Sequence, residues 1–471
     1  MNILLVQPPC YVGDPLSLYL NDYASRVPQL GLLYLASSVA GDHDVRLLDL
    51  NLEQTELQTI PRMIDRVCRA AGSWPADLVG FGTMANVYPL VLHMAAAIKE
   101  TVPSTPIVLG GHQATFTAAE TLRRYPQIDY VVLGEGERTF PRLVAALESD
   151  QPLGGIPGVA CRDGAAVHVP DLPALHPHLD ELGPPAYHLA PALDRYQPHS
   201  LVRRANIMTS RGCPFGCTFC SVSRFWQRRA RYRDSRLVVD ELAMLQGDLG
   251  AGYIEFNDDT FTVNRKYLQS ICHGIIDRGL ELEWLCRARA NSLDEETVAV
   301  MRRAGCTHVF IGAESGSSRI LRSIEKKIEP EDVSRSVRLL SDRGIESIVS
   351  FIYGFPEETP EDIALTAKLA LECRRLGARW IGLQRLTALP GTPMAGAITD
   401  EFNLSGTYLS GTPITSDRGF TEEVRRMVAD APSVFPMYFR VNCRHFRTED
   451  ALQQTVNRAF APLGRDMGME L

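Results

Sequence analysis

The chain has 471 residues, 45% of them hydrophobic and 22% charged, and a formal net charge of −8. That length accommodates two or three domains with their own cores, and the composition is that of a globular protein. The acidic balance argues against a general nucleic-acid binder, and no apolar run approaches the roughly 20 residues of a membrane-spanning helix, so neither nucleic acid nor membrane is an expected partner.

The opening "MNILLVQPPC" has neither the basic region nor the long apolar stretch of a secretory signal and reads as a strand. The expectation is a cytoplasmic protein whose thiols stay reduced. Up to about residue 145, short apolar runs alternate with helical stretches. The predicted strands are Asn2–Gln7, Val45–Leu50, Leu78–Gly82, Ile107–Gly111 and Tyr130–Glu135, with "LGLLYLASSVA" and "LVLHMAAAIKE" apolar at helical spacing between them. Such runs imply an α/β domain: a doubly wound, Rossmann-like parallel sheet of the flavodoxin type, covered on both faces. Ligands of that fold bind beyond the carboxyl ends of the strands, here the loops "PPCYVGD", "GTMANVY", "GGHQATF" and "GEGERTF".

Residues 146–200 are proline-rich and aperiodic and read as a connector. His168, His176, His178, His188 and His199 lie in it at spacings that fit no ligand set, and they read as surface histidines. From residue 201 to 394 the alternation resumes, with strands predicted in "ANIMTS", "YIEFND", "LEWLCRAR", "THVFIGAE", "ESIVSFIYG" and "ARWIGLQRLT". Six strand–helix units in a row imply a partial (β/α)6 barrel with its site at the carboxyl ends of the strands. Residues 395–471 are read as a small C-terminal cap that shapes the substrate pocket.

Three of the eleven cysteines, Cys213, Cys217 and Cys220, follow the first barrel strand in "RGCPFGCTFC". Reduced thiols argue against a disulfide. Structural zinc normally takes four ligands in paired C-x-x-C elements, and no second pair follows. Three thiolates also suit a four-iron cluster with one iron left open. The spacing C-x-x-x-C-x-x-C, with Phe219 before the last cysteine, resembles the radical S-adenosylmethionine (SAM) superfamily. The resemblance implies a [4Fe-4S] cluster on Cys213, Cys217 and Cys220, whose open iron is chelated by SAM, and reductive cleavage of SAM to a 5′-deoxyadenosyl radical. It further implies cofactor contacts from Phe219, from Asn257, Asp258 and Asp259 to the SAM amino group, and from Arg287 or Arg289 to its carboxylate. Glu314 and Ser315 would face SAM, and Ile352 and Gly354 would contact adenine. An ordinary alternative for Asn257–Asp259 is capping of the next helix. Glu314 and Tyr353 are the candidate catalytic residues, with Gln384 and Arg385 at neighbouring strand ends. The arginines after the cysteines, Arg224, Arg228, Arg229, Arg231, Arg233 and Arg236, read as solvated or locally paired.

The preceding doubly wound domain, through "PQLGLLYLAS", "GGHQAT" and "GEGERTF", resembles the cobalamin-binding branch of that superfamily. In that branch the corrinoid lies against the loops after the sheet strands. No D-x-H-x-x-G signature for a lower cobalt ligand is present, and His112 is either a pocket residue or an ordinary turn residue. The expected activity is hydrogen abstraction from a carbon of a small metabolite, followed by cobalamin-dependent methylation. An electron donor of flavodoxin or ferredoxin type is the implied partner. Alternatives are cobalamin-independent dehydration, deoxygenation or rearrangement of a sugar-like, aminoglycoside-type substrate, and a non-catalytic corrinoid sensor. Only five of the 48 basic residues are lysine (Lys99, Lys266, Lys326, Lys327, Lys368), a bias typical of GC-rich bacterial genomes and compatible with antibiotic or other specialised metabolism.

Overall fold

The computed structural model describes residues 1–9, 27–57, 59–196, 200–402 and 418–467. The chain divides into two compact units. The first is Met1–Ser200 with Leu389–Gly391 and Glu401–Phe439, and the second is Leu201–Ala388 with Thr392–Asp400 and Arg440–Leu471. The stretch read as one C-terminal cap is therefore divided between them. Among the described residues no helix is long and apolar enough to cross a membrane.

In the first unit, β1 (Asn2–Gln7), β2 (Asp44–Asp49), β3 (Leu78–Gly82), β4 (Ile107–Gly110) and β5 (Tyr130–Val132) are parallel. Helices α1 (Leu30–Ser37), α2 (Leu50–Leu57), α3 (Ile60–Ser73), α4 (Tyr88–Thr101), α5 (His112–Arg124) and α6 (Thr139–Glu148) intervene. The apolar runs form strands because helices bury both of their faces: Ile3, Leu5, Leu78 and Val108 join Leu32, Ala36, Phe140 and Leu143 in one core. The order is β2-β1-β3-β4-β5, then β6 (Val159–Asp163) and β7 (Ala166–His168). The topological switch point lies between β1 and β3, which is the flavodoxin arrangement.

The last two strands correct the connector reading. They pair antiparallel onto β5 through Tyr130↔Cys161 and Cys161↔His168. They are short and half-exposed, so they carry no burial periodicity; the turn dipeptide Asp163-Gly164, with Gly164 at φ 57°, was the available signal. Of the connector histidines, His168, His178 and His188 are exposed, but His176 is buried and its backbone N–H donates to Glu135 Oε2 at 2.8 Å. His199 and most of the "PPCYVGD" loop lie outside the described residues.

The second unit is a six-stranded parallel half-barrel. Its strands are β8 (Arg203–Ile207), β11 (Ala251–Phe256), β12 (Glu283–Ala288), β13 (Cys306–Glu314), β14 (Glu346–Tyr353) and β15 (Trp380–Arg385), side by side in chain order. A two-stranded ribbon, β9 (Ser210–Arg211) with β10 (Arg231–Tyr232), closes the loop that follows β8. Helices α7 (Ser235–Gly247), α8 (Arg265–Asp277), α9 (Glu295–Arg303), α10 (Ser318–Ser323), α11 (Pro330–Asp342) and α12 (Pro360–Arg375) cover one face of the sheet; α13 (Arg418–Asp430) belongs to the first unit and α14 (Glu449–Met467) to the second. Side-chain caps start several of them: Asp234 for α7, Asn264 for α8, Asp294 for α9 and Thr359 for α12.

Strand alternation sorts the site residues by face. Ile254, Phe256, Trp284, Cys286, Val309, Ile311, Val349, Phe351 and Tyr353 are buried against the helices. Their neighbours Tyr253, Leu285, Arg287, Phe310 and Ile352 are half-exposed and face the barrel interior.

Candidate functional site

The three cysteines sit on the loop at the carboxyl end of β8, between β9 and β10. Gly212 opens it at φ 94°, where a Cβ would lie 2.0 Å from the carbonyl oxygen of Arg229, so only glycine lets the two sides of the loop meet. Cys220 N donates to Cys217 O at 3.2 Å, and Thr218 N donates to Ile324 O at 3.1 Å. Cys213 Sγ lies 3.8 Å from Thr260 Oγ1, and Cys217 Sγ lies 3.9 Å from Glu325 O. All three are free thiols, half-buried. Burial pushes the Cys220 thiol up to about 11, and it also raises Cys217, opposed by the Lys326 and Arg289 cations. Among the described residues no three His, Cys, Asp or Glu side chains close around a single ion. A four-iron cluster makes a different demand, because each thiolate binds its own iron.

The carboxyl ends of the other strands converge on this loop in different ways. Asp258 is fully buried and accepts from Thr209 N (3.3 Å), Thr209 Oγ1 (2.8 Å) and Ser210 Oγ, tying β8 to β11. It therefore acts as a strut between the two strand ends. Asp259 accepts from Gly212 N at 3.0 Å, and desolvation lifts its carboxyl to about 6. The cap of α8 is Asn264, so neither aspartate fills the capping role. Asn257 is exposed and accepts from Arg287 Nη1 at 3.2 Å, while Arg287 Nη2 donates to Glu255 Oε1 at 2.7 Å.

Arg289 differs from Arg287. It is buried, its guanidinium lies 3.8 Å over the Phe215 ring of the cysteine loop and bonds the Cys217 thiol, and among the described residues its Nε and Nη2 have no hydrogen-bond partner. A buried guanidinium with two vacant donors beside three thiols fits a carboxylate-bearing ligand such as SAM.

Three of the expected site residues have partners within the protein. Ser315 has no exposed surface; its Oγ lies 3.1 Å from Thr366 Oγ1 and accepts from Ser317 N, which links β13 to α12. Tyr353 lies on the helix-covered face, opposite Ile352, and its hydroxyl donates to Gln453 on α14 at 2.9 Å. Gly354 leaves room for Arg385: at φ 86° its Cβ would lie 1.7 Å from Arg385 Nη1. Arg385 is spent as a strut to Gly354 O (2.9 Å), Val441 O (3.1 Å) and Glu449 (3.1 and 3.2 Å). Gln384 is exposed on the interior face beside Ile352. Phe219 packs edge-on against Phe355, ring centroids 6.2 Å apart, and so anchors the loop to the end of β14.

Glu314 closes β13 with a left-handed backbone (φ 63°) after a register shift between Gly312 and Glu314. Its Oε1 accepts from Lys326 Nζ at 2.6 Å, with both side chains mostly buried. Lys326 was not singled out from sequence. Its partner lies twelve residues away on another element, and no local pattern announces the pair.

At the carboxyl edge of the first unit, Thr83 Oγ1 donates to Gly110 O at 2.7 Å and accepts from Ala114 N at 3.2 Å. Gly111, at φ 98°, has no room for a Cβ beside Thr83 O. Desolvation holds the His112 imidazole down at about 4 and so neutral. An edge of glycines, a threonine and a neutral histidine fits a bulky uncharged group such as a corrinoid face.

Comparison with known proteins agrees with both units. The model of the radical SAM superfamily matches residues 207–370, and that of the B12 binding domain matches residues 16–144. An uncharacterized methyltransferase of Pyrococcus horikoshii, PH0819, is 34% identical over 90% of this chain and 89% of its own length. An anaerobic magnesium-protoporphyrin IX monomethyl ester cyclase of Cereibacter sphaeroides is 31% identical over 89% of this chain and 68% of its own. The fold is shared with the radical SAM methyltransferase TsrM of Kitasatospora setae, at a TM-score of 0.73 and 19% identity over 98% of this chain and 89% of that one. The chain thus belongs to the radical SAM superfamily, whose members use a [4Fe-4S] cluster and SAM, in the branch that carries a B12-binding domain.

Proposed function

We propose that this enzyme methylates an unactivated carbon of a small metabolite, using cobalamin together with the cluster and SAM. The observation that supports this reading is the conjunction, in one chain, of a flavodoxin-order domain and a half-barrel whose first strand delivers three free thiols beside the buried guanidinium of Arg289. A relative 34% identical over 90% of this chain carries a methyltransferase name. When bound, these groups supply hydrogen-atom abstraction from a substrate carbon and delivery of a methyl group to it.

The chain's own part is to hold and orient them. Cys213, Cys217 and Cys220 hold the cluster, Arg289 takes the SAM carboxylate, and Asn257 and Asp259 offer oxygens toward the SAM amino group. Ile352 lies on the interior face where an adenine would rest. Glu314 stands as the buried anion of the site. The electron comes from a low-potential protein donor of the flavodoxin or ferredoxin type. Specialised metabolism is the pathway class that this assignment suits.

The magnesium-protoporphyrin ester cyclases favour a second reading, in which the same cofactors lead to ring closure. Product mass separates the two. With SAM labelled in its methyl group, methylation adds one labelled carbon, and cyclisation adds none. The direct test is anaerobic reconstitution with iron, sulfide and hydroxocobalamin, followed by assay for 5′-deoxyadenosine. Near-stoichiometric corrinoid retention and cobalamin-dependent label transfer are expected. Product formed in the rigorous absence of cobalamin would sink the methyltransferase reading.

A further inference from the structure

Six non-glycine residues among the described ones have left-handed backbone: Asp150, Gln227, Arg228, Glu314, Glu325 and Lys327. All except Asp150 belong to the surroundings of the cysteine loop. A Cβ on Gly216 of that loop would lie 3.3 Å from Arg228 Cζ and 3.2 Å from Glu325 Oε2. Each such conformation costs on the order of 1–2 kcal/mol, and strain of this kind persists where the structure holds a group in a required place.

The group held is Lys326. Glu325 and Lys327 flank it, so the chain doubles back on either side of it. The segment is stitched to the cysteine loop by Thr218 N donating to Ile324 O (3.1 Å), and Cys217 Sγ lies 3.9 Å from Glu325 O. Asn291 Nδ2 donates to Lys327 O at 3.1 Å from the other side. The ammonium is pinned by Glu314, itself strained and displaced by the register shift in β13. Gly312 makes room for the pair, because its Cβ would lie 2.5 Å from Glu314 Oε1 and 3.1 Å from Lys326 Nζ. A mostly buried ion pair is poor evidence for a stabilising purpose, since desolvation opposes the Coulombic gain. Its place suggests another one. The carbonyl oxygen of Glu325, the residue before Lys326, lies 3.9 Å from Cys217 Sγ, so the pair is held beside the cysteine loop.

We propose that Lys326 sets the reduction potential of the iron–sulfur cluster, as a fixed cation beside Cys217 that favours the cluster's reduced form. The step is the uptake of one electron from the external protein donor, with no bond made or broken. The added negative charge interacts favourably with a nearby buried ammonium, and net charge and burial are among the levers that tune such clusters. Lys326 is a positioning residue: it bonds Glu314, and its neighbours Ile324 and Glu325 meet the cysteine loop. The inference rests on the reading that the three cysteines hold the cluster.

The test is an electron-paramagnetic-resonance potentiometric titration of the anaerobically reconstituted full-length enzyme, with iron, sulfide and SAM affinity measured on each variant. Lys326→Met is expected to make the reduction equilibrium at least tenfold less favourable, a midpoint 59 mV lower for one electron. Lys326→Arg should stay within threefold of wild type, and Glu314→Gln, which leaves the ammonium uncompensated, should move the midpoint upward. A merely structural pair would not give shifts of opposite sign. An iron-replete Lys326→Met with an unchanged midpoint overturns the proposal, as does one whose only change is tenfold weaker SAM binding. If Lys326→Met takes up no iron, a Glu314→Gln midpoint that fails to rise overturns it. Failure of the wild type itself to assemble a cluster would instead overturn the underlying functional reading.

Discussion

Glu358 has no exposed surface; its Oε2 accepts the Gly354 N–H, and among the described residues its Oε1 has no partner. Desolvation lifts its carboxyl from the ordinary 4.5 to about 7. The folded state therefore binds this proton more tightly than the unfolded chain. The stabilisation it brings is complete below about pH 4.5 and is lost as pH rises through 7. Its size is on the order of 3 kcal/mol, at 1.36 kcal/mol per pH unit. Glu358→Gln keeps the acceptor for Gly354 and removes the titration. The fall in thermal midpoint between pH 5 and pH 8 should shrink by several degrees in this variant. An undiminished fall would show that the carboxyl is already ionised in the folded protein. Asp259, at about 6 for the same reason, contributes a smaller slope of the same sign that the variant retains.

At the scale of elements, the end of β13 is fastened to α12 by side chains that a sequence reading assigns to the ligand. Thr366 Oγ1 accepts from Gly316 N at 3.0 Å and meets Ser315 Oγ, while Ser317 Oγ donates to Asp362 at 2.5 Å. A Cβ on Gly316 would lie 2.3 Å from Leu365 O, so strand end and helix are in direct backbone contact. Thr366→Val strands a buried N–H and a buried hydroxyl and should cost ~1–3 kcal/mol, read as a lower thermal midpoint. Ser315→Ala should likewise destabilise while leaving the SAM dissociation constant within twofold. A tenfold loss of SAM affinity at unchanged stability would return Ser315 to the binding site.

The same region shows what the sequence could and could not convey. The parallel strands of both units were legible because burial on both faces leaves continuous apolar runs, as in Ile3–Val6 and Val309–Ile311. The cysteine loop was legible because its spacing is local. The face on which each strand-end residue falls was not, because Tyr353 and Ile352 are adjacent in sequence and opposite in space. Arg385 and Asp258 look like free functional groups until Glu449 and Thr209 are seen to occupy them. Lys326 has the reverse history: an ordinary lysine in sequence becomes notable through Glu314, Gly312 and the flanking strained backbone.

For the whole molecule, the relevant quantity is the distribution of charge. The chain carries −8 overall, yet Arg228 and Arg229 are exposed in the stretch that closes the cysteine loop, with no ion pair among the described residues. Arg233 is different, being buried against Glu241 at 2.6 Å, and Arg236 is engaged with Asp234 at 2.6 Å. Both halves of the reading of the arginine run occur here: those two are locally paired, and the exposed pair is solvated. A positive spot beside the loop on an otherwise acidic surface would steer an acidic electron-carrying protein toward the loop that leads to the cluster, and would do so in a salt-dependent way. Arg228→Glu combined with Arg229→Glu should lower the second-order rate of cluster reduction by reduced flavodoxin at least tenfold at low salt. The gap should close near 0.5 M salt, where screening acts within a few ångströms. Reduction by photoreduced 5-deazaflavin, which needs no docking surface, should proceed at the wild-type rate in the same variant. A flavodoxin rate that is unchanged and independent of salt would place donor docking on another face of the protein.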